Sequence, residues 1–93
     1  MGKNRTKLEE YMNFLMTNGT EIFNCKSKAY DTSHVSICQM INGTTTRPVP
    51  ETKLAIVSGL QAIWAKRVKS KAVPSDTLEP GAWLFDDEGE AQE

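Results

Sequence analysis

Between Pro50 and Pro74 the apolar residues keep one period. Ile56, Val57, Leu60, Ile63, Trp64 and Val68 stand at helical spacing, which lines one side of an α-helix and neither face of a strand. Pro50 suits a first helical position, and Glu51 suits the positive end of the helix dipole. Lys66, Arg67, Lys69 and Lys71 gather at the other end, where cations are favoured, and Pro74 ends the pattern. The spacing predicts a helix over 51–70. Gly59 lies beside its apolar stripe, where a missing side chain lets another backbone come close. A helix this long needs neighbours to cover its apolar side. With 93 residues to supply them, the chain is one small domain with a modest core.

A second stripe runs over residues 6–17. Leu8, Tyr11, Met12, Leu15 and Met16 fall at i, i+3, i+4, i+7 and i+8. Thr6-Lys7-Leu8-Glu9 has the form of a capping box, so Thr6 caps the first turn. Asn18-Gly19 is the expected stop, because both residues tolerate the left-handed conformation that ends helices.

Residues 20–49 admit two folds. In the first, Ile22, Phe23 and Cys25 lie on a short helix ending near Lys28 or Ala29. Asp31-Thr32-Ser33 forms a turn, and Ser33 caps a further helix over 34–41 with Val35 and Cys38 facing inward. The chain is then mainly α, with a long C-terminal amphipathic helix and an acidic tail. In the second, Val35, Ile37 and Ile41 alternate along a strand, Asn42-Gly43 turns a hairpin, and Thr44–Val49 returns as an edge strand limited by Pro48. With Glu21–Cys25 as a third strand, the order becomes α-β-β-β-α, which is also the order of the double-stranded-RNA-binding domain.

The stretch Ala29-Tyr30-Asp31-Thr32-Ser33-His34-Val35-Ser36, then Asn42-Gly43, then Arg47-Pro48-Val49-Pro50-Glu51, resembles the lambda-repressor and Cro class of helix-turn-helix proteins. The resemblance covers roughly residues 21–63. It implies a short helix docked in the DNA major groove. Ser33, His34, Ser36, Ile37 and Gln39 would then face outward from the reading helix, and Lys26, Lys28 and Arg47 would hold phosphates.

Charge is distributed unevenly along the chain. Residues 1–73 hold all eleven bases and five acids, a net of +6, whereas 74–93 hold seven acids and no base, a net of −7. The expected organisation is a single basic globular domain over 1–73 and an acidic, largely flexible tail over 74–93. A +6 body attracts polyanions through phosphate contacts and counterion release. Lys66, Arg67, Lys69 and Lys71 would contribute to that attraction. Trp83, Leu84 and Phe85 interrupt the tail with large apolar side chains. They either dock on the body, the favoured expectation, or bind a protein partner.

Several classes are set aside. No apolar run approaches the ~20 residues of a membrane span, and no apolar stretch follows the N-terminal bases as a secretory signal would require. Cys25 and Cys38 are then expected to be reduced thiols in a cytoplasmic protein. With His34 as the lone histidine, they make a poor metal set. His34 and Cys38 would adjoin at i, i+4 on a helix, yet no third group orients them as a catalytic pair. No cofactor loop occurs, and no enzyme is expected. The leading expectation is a small DNA-binding regulator of phage or mobile-element type, able to form a homodimer through the long helix or the tail patch. The alternative is a small α+β inhibitor or adaptor that binds a protein and no nucleic acid.

Overall fold

The computed structural model describes residues 7–42 and 50–85. Among them the regular elements are α1 (Lys7–Leu15), α2 (Gly19–Cys25), α3 (His34–Asn42), α4 (Pro50–Lys69) and a 3₁₀ turn at Ala82–Phe85. The protein is mainly α. The strand alternative fails over Val35–Ile41, which lies inside α3, and Glu21–Cys25, which belongs to α2. The physical reason is periodicity. Ile37, Met40 and Ile41 share one side of a helix, and Ile37 and Met40 are buried there, whereas a strand would turn Ile37 and Met40 to opposite faces. The proposed return strand and Gly43 lie outside the described residues, as does Thr6.

The helix starts follow local chemistry. The Ser33 Oγ accepts the backbone N–H of Ser36 at 3.1 Å and so caps α3. Asn18 does the same for α2, its Oδ1 accepting from the Glu21 N–H at 2.9 Å. Asn18-Gly19 therefore starts a helix rather than ending one. The left-handed residue after α1 is Met16, at φ 61°. There the Met16 N–H donates to Asn13 O and the Thr17 N–H to Met12 O, the paired bonds of a Schellman motif. The same motif closes α4 around Lys71, at φ 66°, with Lys71 N–H to Val68 O and Ala72 N–H to Arg67 O.

The core lies along α4. Ala55, Ile56, Leu60 and Ile63 meet Leu8, Tyr11, Met12 and Leu15 of α1, Ile22 of α2, and Ile37 and Met40 of α3. Gly59 is the point where α2 crosses. A Cβ placed on it would stand 2.5 Å from the Ile22 carbonyl oxygen and 2.9 Å from Ile22 Cγ2. Beyond α2 the chain follows the first half of α4. The Ser27 N–H donates to Ser58 Oγ at 3.0 Å, the Asp31 N–H donates to Glu51 at 2.9 Å, and Thr32 and Thr52 share a hydrogen bond of 3.1 Å.

Residues 73–85 double back as a strap against α1 and α4. Tyr11 donates its phenol proton to Leu78 O at 2.6 Å, Trp64 Nε1 donates to Thr77 O at 3.1 Å, and Gln61 Nε2 donates to Pro80 O at 3.3 Å. The Trp83 ring meets Tyr11 edge to face at 5.6 Å. Val73 and Leu84, only 5% and 1% exposed, complete the core. The described part of the expected tail is thus packed structure, so the core does not end at residue 73. Docking wins because burying a side chain the size of Leu84 is worth about 2 kcal/mol. The expectation for residues 86–93 lies outside the described residues.

Candidate nucleic-acid interface

α3 rests on α2 and α4, and among the described residues no other element packs on its opposite side. Its buried stripe is Ile37 and Met40, with Cys38 and Ile41 half-buried. Two expected orientations are reversed. Ile37, expected outward, is fully buried, and Val35, expected inward, is 60% exposed. Residues two apart on a helix point about 200° apart, so Val35 and Ile37 cannot both face the core. Ile37 takes the inner place because Met40 and Ile41 continue its stripe at i+3 and i+4.

The predicted reading residues divide by role. Ser33 and Ser36 serve the start of α3, since Ser33 Oγ also donates to Ser36 Oγ at 3.0 Å. His34 is exposed and steadied from α2. Its Nε2 lies 3.1 Å from Thr20 Oγ1, and its ring meets Phe23 edge to face at 5.6 Å. Cys38 Sγ is 3.7 Å from the same nitrogen, and among the described residues no carboxylate hydrogen-bonds to the pair. Gln39 is exposed on the outer side.

The basic residues divide as well. Lys26 Nζ donates to Tyr30 O at 2.7 Å and sits 5.4 Å over the Phe23 ring, so it braces the α2–α3 connection. Lys28 is exposed in that connection. Lys69 and Lys71 are exposed at the end of α4, and exposed Lys66 has Cys25 Sγ 3.9 Å from its Nζ. Arg47 lies outside the described residues.

Arg67 departs from its expected role. Its Nε donates to Leu15 O at 2.7 Å, and its Nη2 donates to Met16 O at 3.2 Å and to both Glu21 oxygens at 3.1 and 3.3 Å. Through Nε and Nη2 the guanidinium joins α4 to the α1–α2 corner, so it serves as a clamp within the fold. Thr17 completes the clamp by donating to Glu21 Oε1 at 2.6 Å. That bond, helped by the Arg67 charge, outweighs partial burial and holds the Glu21 carboxyl below its ordinary pKa. Sequence alone marks Arg67 as one base in a cluster, since its partners lie 46 to 52 positions away.

The tail patch is likewise committed. Leu84 is buried, Trp83 packs on Tyr11 and donates its Nε1 proton to Glu79 O at 3.1 Å, and Phe85 lies 5.5 Å from Lys53 Nζ. A partner cannot grip Leu84 without unpicking the core, which corrects its expected place in a binding patch. Among the described residues no group of three His, Cys, Asp or Glu side chains is placed to hold a metal, and no helix is long and apolar enough to cross a membrane. Comparisons with protein-family models, curated proteins and solved structures return no match for this chain.

Proposed function

We propose that the chain is a small DNA-binding regulatory protein of phage or mobile-element type, acting in the cytoplasm as a homodimer and without catalysis or a cofactor. One observation carries this reading. α3 is held from behind by two helices, bears no Asp, Glu, Lys or Arg, and presents Gln39 and Asn42 on its exposed side. A short helix so mounted suits a major groove about 12 Å wide. Support comes from α3 itself rather than from the turn before it. The α2–α3 connection runs over residues 26–33, longer than the three or four residues of the helix-turn-helix class.

The phosphate-binding set is Lys28, Lys66, Lys69 and Lys71, with Arg47 from the α3–α4 connection. His34 and Gln39 are the base-facing candidates, and Ser33 and Ser36 shape the helix start. Dimerisation is expected because a single module of this size covers little DNA.

The test is fluorescence anisotropy of labelled duplexes with the full chain, from about 50 to about 200 mM salt. Binding should weaken steeply with salt. The K66Q/K69Q/K71Q variant should lower the log–log slope by up to about 0.9 for each phosphate that is no longer neutralised. Absence of binding at the lowest salt would overturn the proposal.

A further inference from the structure

The uncovered side of α3 carries a pattern of its own. Val35, Gln39 and Asn42 stand at i, i+4 and i+7, and all three are exposed. They lie opposite buried Ile37, so they form the outermost line of the helix. Val35 is the anomaly. A β-branched apolar side chain 60% exposed draws little stabilisation from the fold and keeps most of its apolar surface in water. Its neighbours on the stripe are two primary amides.

Resting on the DNA-binding reading, we infer that Val35, Gln39 and Asn42 select A·T base pairs in the major groove, with Val35 packed on a thymine C5 methyl and the two amides on adenines. The chemistry matches each residue in turn. The thymine methyl is the one apolar group on a base-pair edge in that groove, and an aliphatic side chain is its natural partner. Asn and Gln each present a donor and an acceptor that fit adenine N7 and N6 together. The spacing also fits. Val35 to Asn42 spans about 10 Å of helix, which covers about three base-pair steps at 3.4 Å each.

Charge agrees with duplex DNA as the occupant. No carboxylate lies on α3, and the stretches that flank it in sequence, 26–33 and 43–49, hold Lys26, Lys28 and Arg47 against one acid, Asp31. Glu51, at the start of α4, accepts the Asp31 N–H. A lone valine among amides and hydroxyls is too small an apolar area for the core of a protein–protein interface, yet it is the right size for one methyl group.

The experiment selects duplexes from a random pool with the full chain, then replaces each thymine of the selected site by uracil. That exchange deletes only the C5 methyl. At one position the wild type should lose about fourfold in affinity, the worth of one buried methyl group, while Val35→Ala should show no further loss there. Gln39→Ala and Asn42→Ala should each relax discrimination at one adenine, by about fivefold to a hundredfold. Circular dichroism should show Val35→Ala folded as the wild type, since the side chain is exposed. If duplexes bind but no uracil exchange separates wild type from Val35→Ala, the thymine assignment is overturned and DNA binding stands. If no duplex binds at about 50 mM salt, both fall together.

Discussion

Replacing Gly59 by alanine sets helix propensity against packing. Propensity alone favours the change, since alanine in a helix interior is worth about 1 kcal/mol over glycine. Packing opposes it. The added Cβ would lie 2.5 Å from the Ile22 carbonyl oxygen, whereas carbon–oxygen contacts normally begin near ~3.3 Å. α2 must retreat by about 0.8 Å, taking the fully buried Ile22 with it. Overpacking a core costs about 1–3 kcal/mol, and the obstacle here is backbone, which cannot rotate aside. A cost of about 3 kcal/mol less the propensity gain leaves a net destabilisation of about 2 kcal/mol. For a domain of this size that is a fall in Tm of about 8–16 °C. Thermal and urea unfolding followed by circular dichroism would measure it. A Gly59→Ala protein as stable as the wild type, or more so, would refute the close crossing of α2 over α4.

Leu84→Ala should cost about 3 kcal/mol by opening a cavity under the strap, where a solvated tail residue would cost almost nothing; urea midpoints distinguish the two. Burial first, and then the Glu79 charge, push the Tyr11 phenol up to about 12. Its folded value lies above the ordinary 10, so its contribution is intact below pH 10 and lost as pH rises toward 12. The fluorescence of Trp64 and Trp83, which both contact or belong to the strap, should report it lifting in that window, and absorbance should show Tyr11 ionising late. Glu21 titrates below its ordinary value, so its contribution is intact above that value and lost as pH falls through the folded one. Glu21→Gln should flatten that part of the acid limb in pH-dependent unfolding curves.

The helices were legible where apolar spacing persists over several turns, as in α1 and α4, and where a cap stands before a stripe, as Ser33 stands before α3. Gly59 was legible as a close approach because it interrupts an apolar side without breaking the helix. The rotation of α3 was not, because Val35 and Ile37 are equally apolar and only the continuation through Met40 decides between them. Arg67 looked like one more surface base, since a clamp to Leu15, Met16 and Glu21 leaves no trace in local spacing. The strap was visible as an apolar interruption at Trp83–Phe85, but its path depends on carbonyls of Thr77, Leu78 and Pro80 that any residue could offer. Met16 and Lys71 adopt left-handed backbone without glycine, so neither closing residue stands out in the sequence, and of the two helix ends only that of α4 was marked, by Pro74.

The strap's direction ties the two ends of α4 to different charged groups. It leaves α4 beside Lys69 and Lys71 and returns to end at Phe85, next to Lys53. Phe85 therefore lies about 24 Å along α4 from Lys69, some three screening lengths at physiological salt. The exposed lysines Lys66, Lys69 and Lys71 thus stand at one end of α4 and Lys53, with the end of the strap, near the other, so charges at one end are screened from charges at the other.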